Sequence, residues 1–203
     1  MKTVLIVLGI LAAIAVAGFL YLTGQYNGLV NRSQAVDAQW AQVQNVYQRR
    51  ADLIPNLVAT VSGAANFEKS TLTEITEARA SVGKVQINQS GTPNAAQLAQ
   101  FEQAQGALSS ALSRLLVVAE NYPSLKATAN FSELQAQLEG TENRISVERG
   151  RFNDLARDYN SAIKRVPAVF FAGLFGFAEK PYFAAKAGAD TPPAVQFDFN
   201  RKP

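Results

Sequence analysis

The chain opens with VLIVLGILAAIAVAGFLYL, residues 4–22, an unbroken run of uncharged and mostly apolar side chains. As a helix this run spans about 28 Å, close to the hydrocarbon thickness of a bilayer. Beyond it the pattern changes. From Val36 the apolar positions recur in steps of four and three: Val36, Trp40, Val43 and Tyr47, then Arg50, then Ile54, Leu57 and Val61. That spacing predicts a long amphipathic helix with one charged member in its seam. The seam keeps its phase across Pro55, so the proline is expected to kink a continuing helix and to free the carbonyl of Ala51.

Three more helices follow from the same pattern. Gly63 marks a break and Asn66 a cap. Leu72, Ile75, Ala78 and Val82 then predict a second helix within residues 67–82. Residues 83–93, with two glycines and a proline, read as a loop, and Asn94 as the next cap. The third seam runs Leu98, Phe101, Gln105, Leu108, Leu112, Leu115, Ala119, Tyr122, with Pro123 at its end. The last helix opens at Asn130 or Ser132 and holds a 3–4 step from Phe131 to Val166, including Thr141 and Glu148, until Pro167 stops it. The predicted fold is all-α: an N-terminal transmembrane helix, then an up-and-down four-helix bundle with long first and last helices. The expected divisions are an anchor at residues 1–25, a bundle at 26–166, an apolar segment at 167–187, and a polar, Pro-containing tail at 188–203 that is expected to be disordered.

Composition narrows the function. Of 203 residues 48% are hydrophobic, and the formal net charge is only +3, with 19 basic and 16 acidic residues interspersed. No basic patch marks a nucleic-acid partner. Histidine and cysteine are both absent, which removes the usual zinc sites, cysteine nucleophiles, Ser-His-Asp triads and disulfides. No catalytic residue, cofactor or metal is therefore assigned.

The apolar run has a rival reading as a cleaved signal peptide, with Lys2 before it and Ala15-Val16-Ala17 as the cleavage site. Its length, and its continuation through Gly18-Phe19-Leu20, favour an uncleaved anchor. Lys2 before the span, against Arg32 offset by Asp37 after it, favours a cytoplasmic N-terminus by the positive-inside rule.

Two stretches crowd charge onto helices without an obvious reason: RRADLIPNLV (49–58) and GTENRI (140–145). If the first helix rises and the last descends, matching their ends places Arg50 level with Glu142, and Asp52 near Arg144. The expected result is a partly buried polar network of Arg50, Asp52, Asn56, Glu142, Asn143, Arg144 and Glu148. Buried ion pairs are best attested as devices that fix helix pairing and register. The competing reading is a carboxylate-dependent hydrolase or lipid-handling protein using Glu142 and Glu148.

RRADLIPNLV, the preceding VDAQWAQV (36–43), EGTENRISVERGRFND (139–154), DYNSAI (158–163) and YNGLV (26–30) together resemble the LemA family, from the anchor to about Phe183. The resemblance implies a membrane-anchored four-helix bundle with a long first helix and no established enzymatic activity. It assigns structural importance to residues 50–58 and 140–145. Phe152-Asn153 stands where many relatives have Tyr-Asn, so one hydroxyl is missing here. The implied role is an envelope scaffold or binding protein in a bacterial cytoplasmic membrane, crossed once, with the bundle on the outer or periplasmic side.

Residues 169–177 hold Phe170, Phe171, Leu174, Phe175 and Phe177, a poor composition for a free tail. Three placements are open: in the lipid interface, with Lys180 and Lys186 reaching headgroups; folded back onto the bundle's base; or against another subunit. The expected partners are membrane lipids, with self-association or a second membrane protein. Phe197 and Phe199 alternate with polar residues as a short docking motif would.

Overall fold

A computed structural model describes residues 1–63, 67–85 and 91–184. Every long element among them is a helix: α1 Lys2–Ser62, α2 Lys69–Lys84, α3 Ala95–Ala119, a short α4 Pro123–Lys126, and α5 Ala129–Lys164, followed by a 3₁₀ turn at Ala168–Phe170. The expected Asn66 cap, part of the expected loop (86–90), Lys186 and the tail with Phe197 and Phe199 lie outside the described residues.

α1 is one helix of 61 residues. All eight members of the expected seam, Arg50 included, are buried in it. α1 lies antiparallel along α5, since Gln39 meets Glu148 while Arg50 meets Glu142. α2 packs chiefly on α3. The core falls into two clusters. One, centred on Trp40, Phe101 and Phe152, also takes in Ala168, Ala172 and Phe183. The other, centred on Leu57, Leu108 and Leu115, fills the end remote from the anchor.

Local sequence explains the boundaries. Asn94 forms a reciprocal capping box with Gln97, as each side chain satisfies the other's backbone N–H. Thr128, and not Asn130 or Ser132, caps α5, its hydroxyl accepting from the Phe131 N–H. Pro123 does not merely close α3; with its φ preset it opens the one-turn α4. α1 continues through Pro55. The carbonyl of Ala51 that this proline cannot serve accepts instead from Arg79 Nε of α2 at 3.1 Å.

The seam of α5 turns near its end. Ala156, Asn160 and Ile163 are buried beside Phe152 and Tyr159, whereas Val166 is 74% exposed. The buried face widens there because the chain after Pro167 folds back onto α5.

Within α1 the segment before Gly24 makes the one candidate span among the described residues, long and apolar enough to cross a membrane. Its side chains stand clear of the helical body, Leu5, Ile14 and Phe19 each being more than 60% exposed.

Candidate functional site

Arg50 is 2% exposed. Its guanidinium spreads across three elements. Nη1 donates to Glu142 Oε2 on α5 at 2.9 Å and to Ser109 Oγ on α3 at 2.8 Å. Nη2 donates to the side-chain oxygen of Gln105 and, at 3.4 Å, to the Gln105 carbonyl. The Tyr47 ring lies 5.1 Å from its Cζ. A planar fork with five donors suits such divergent acceptors, which a lysine ammonium could not reach together. Burial holds the Tyr47 hydroxyl above its ordinary pKa, with the charges of Arg149 and Arg50 opposing the rise.

A cleft of 230 Å³ lies over this site, lined by Tyr47, Gln105, Ser109, Glu142 and Arg149 among others. Its charges cancel in pairs: Arg50 with Glu142, and Arg149 with Glu102 at 2.8 Å. The arrangement ties α1 to α3 and α5 and presents no excess charge to a ligand. Among the described residues no group of acidic side chains is placed to hold a metal ion.

Of the seven residues expected in one network, Arg50 and Glu142 meet. Asp52 faces solvent and accepts from Gln48 Nε2 on its own helix at 2.7 Å, not from Arg144. Asn56, Asn143 and Arg144 are exposed. Their positions fall on the outer faces of α1 and α5, one or two residues off the seam, and level position along two helices does not make side chains face each other. Glu148 belongs to a different contact, accepting from Gln39 Nε2 at 2.6 Å and from Arg151 Nη1 at 2.9 Å. Glu142 and Glu148 therefore engage different partners and form no carboxylate pair.

The second polar site joins α1 to the returning chain. Asp37 Oδ1 accepts from the backbone N–H of Thr92 at 2.8 Å, from the Thr92 hydroxyl, and from Lys180 Nζ at 3.0 Å. Burial alone would raise the Asp37 carboxyl, but the hydrogen bonds from Thr92 and Lys180 outweigh it and hold the pKa below its ordinary value. Gly91, at φ +99, turns the loop so that Thr92 faces this carboxylate. Lys180 is thus engaged with Asp37 and does not extend toward headgroups.

Residues 178–184 climb antiparallel to α5 and are held through their backbone. Asn160 Oδ1 accepts from the Lys180 N–H at 2.9 Å, and its Nδ2 donates to the Lys180 carbonyl at 2.8 Å. Seven residues earlier on α5, Asn153 does the same for Phe183, at 2.9 and 3.0 Å. Two helical turns rise about 10.5 Å. Three extended residues cover about 10 Å, so the two ladders match. Phe183 is 5% exposed, stacked on Trp40 at 6.0 Å and edge-on to Phe152 at 5.4 Å. Sequence reasoning missed Asn153, Asn160 and Phe183. The signal present was the aromatic-Asn pair repeated at a spacing of seven: Phe152-Asn153 and Tyr159-Asn160.

At the anchor end, the apolar segment divides. Phe171 and Phe177 pack against the core, and Tyr26 of α1 meets Phe175 and Phe177 edge-on at 5.3 and 5.5 Å. Phe170, Leu174 and Phe175 remain 79%, 85% and 58% exposed. Part of the segment therefore closes the base, and part forms an apolar collar beside the point where α1 leaves the apolar run.

Known proteins resemble much of this chain in sequence. The model of the LemA family matches residues 39–197. "Magnetosome protein MamQ 1" and "Magnetosome protein MamQ 2" of Paramagnetospirillum magneticum are each 27% identical over 93% of this chain and 74% of their own length. "Protein LemA" of Metamycoplasma hominis is 24% identical over 77% of this chain and 67% of its own length. With the match covering the Arg50 site, both asparagine ladders and the returning segment, the chain belongs to the LemA family.

Proposed function

We propose that this protein is a membrane-anchored scaffold that works by holding a helical body at a fixed height on the bilayer, and not by catalysis. The observation that carries this reading is the continuity of α1. One helix serves as candidate span at its start and as a core element of the helical body from Leu29 to Val61. A hinge between anchor and body would let the body drift; an unbroken helix transmits position and orientation. The anchor at 1–25 would then carry an up-and-down four-helix bundle at 26–166, on the outer or periplasmic side of a bacterial cytoplasmic membrane.

The collar supports the same reading. Tyr26 lies four residues past Leu22, about 6 Å along the helix, and the collar packs on Tyr26. Phe170, Leu174 and Phe175 would then enter the headgroup–acyl boundary, which suits amphipathic and aromatic groups. Membrane lipids are the first partner on this account, and other copies of the chain the second.

The cysteine-free chain gives a clean test. Leu174→Cys, labelled with an environment-sensitive fluorophore and reconstituted into vesicles, is expected to emit blue-shifted and to be quenched by lipids spin-labelled near the headgroup. Lys126→Cys, at the far end, is expected to emit as in water. Equal, water-like emission at both positions would refute the collar's placement.

A further inference from the structure

The segment 178–184 lies in the α1/α5 groove in the manner of a bound peptide. The groove reads it by chemistry that any copy of the segment can satisfy. Asn153 and Asn160 each pair with both backbone groups of one residue. One aromatic side chain, Phe183, fills the slot between Trp40 and Phe152, with Arg149 4.6 Å above its ring. One ammonium, Lys180, reaches Asp37. What the groove recognises is therefore an extended segment with a lysine three residues before a phenylalanine, the mode by which grooves take linear peptides.

We propose that this groove is also an interaction site between copies, in which residues 178–184 of a second chain replace the resident segment by reciprocal exchange. Resting on the scaffold reading, the proposal supplies that reading's means of self-association. Four features favour a second copy as occupant. Its segment is identical, so every contact of residues 178–184 is regained on exchange. The turn that must open, between Ala172 and the ladder, contains Gly173 and Gly176, whose surroundings are open, and the exposed Leu174, and opening it gives up the ring contacts of Phe175 and Phe177 with Tyr26 and the turn's own hydrogen bonds. Fully extended, the eight residues from Ala172 to Lys180 reach about 26–29 Å. That is more than two helix diameters, enough to cross to a neighbour. Copies anchored in one membrane present their grooves at one height and in one orientation, which raises the effective concentration of the segment for its neighbour's groove.

The test uses the full chain with a photoreactive benzoylphenylalanine at position 183, prepared in light and heavy isotopic forms. The two forms are mixed, co-reconstituted in vesicles and irradiated, and the adducts with the Trp40 and Phe152 peptides are read by mass spectrometry. Exchange predicts light–heavy hybrid adducts at up to half of the total, falling severalfold when Asn153→Ala and Asn160→Ala are combined in the receiving copy. A second pairing guards against a photoprobe that disturbs the slot. Phe183→Ala, with an intact groove and no ring to fill a partner's slot, is mixed with the double asparagine variant, which has an intact segment and a disabled groove. Energy transfer between labels at Lys126→Cys should exceed that of either variant alone. Adducts within single chains only, together with no gain of transfer on mixing, would overturn the exchange. That result would leave the anchored scaffold standing, because probe depth at position 174 tests it separately.

Discussion

Removing the guanidinium of Arg50 should be among the more damaging single changes in the helical body. In Arg50→Ala the carboxylate of Glu142 loses its ion partner, Ser109 loses a donor, and the side-chain oxygen of Gln105, itself 4% exposed, is left unserved. A cavity also opens beside Tyr47. The unserved buried acceptor and the cavity together cost about 3–5 kcal/mol. The reverse change is milder. In Glu142→Gln the amide oxygen can still accept from Nη1 at the half-exposed flank of the pair, and Arg50 keeps its acceptors on Ser109 and Gln105. That cost is about 1 kcal/mol. Arg50→Lys keeps the charge but not the fork, and falls between at about 2–3 kcal/mol. For a chain of this size each kcal/mol moves the thermal midpoint by about 2–4 °C. Arg50→Ala should therefore lower it by about 6–20 °C and Glu142→Gln by about 2–4 °C. The assay is far-UV circular dichroism of the detergent-solubilised full chain during heating. A loss below about 1 kcal/mol for Arg50→Ala, or an equal loss for Glu142→Gln, would refute the view that Arg50 is the keystone of helix register.

Other outcomes follow from particular contacts. Arg79→Ala should cost about 0.5–1.5 kcal/mol, the worth of one hydrogen bond. That cost should vanish in a Pro55→Ala background, where residue 55 regains the N–H that serves the Ala51 carbonyl; equal costs in both backgrounds would sink the explanation. Asn94→Ala should cost about 0.5–2 kcal/mol in chemical unfolding through loss of the α3 cap, and Asn94→Ser should restore most of it. Asp37 has a folded pKa below its ordinary 3.8, so its contribution is full above 3.8 and is lost as pH falls through the lower folded value. Asp37→Asn should therefore lower the thermal midpoint at neutral pH and flatten its decline over that acid window; an unchanged acid limb would contradict the assignment.

Much of this architecture was legible because helical periodicity survives in a single sequence. The seam from Val36 to Val61 keeps its phase, so even Arg50 could be assigned to the core before its partner was known. Matching helix ends then predicted the level of Glu142, because rise per residue is constant. It could not predict which way Asp52 and Arg144 point, since a residue or two off the seam rotates a side chain to the outer face. The returning segment was illegible for another reason. Its contacts run from side-chain amides to backbone, and backbone groups leave no trace in composition. The fate of Lys180 shows the same limit: proximity to an apolar segment suggested headgroups, but Asp37, 143 residues away in sequence, lies closer.

On the scaffold reading, one rigid helix sets the height of the whole body above the bilayer. From Gly24 to Ser62 α1 rises about 57 Å. Resonance energy transfer from a dye on Ser62→Cys to acceptors at the vesicle surface measures that height directly. Weak transfer is expected, consistent with about 50–60 Å, with a marked increase when a Gly-Ser-rich insert is placed after Gly24. Strong transfer in the uninterrupted chain, equal to that with the insert, would mean the body lies down on the membrane and would contradict the account.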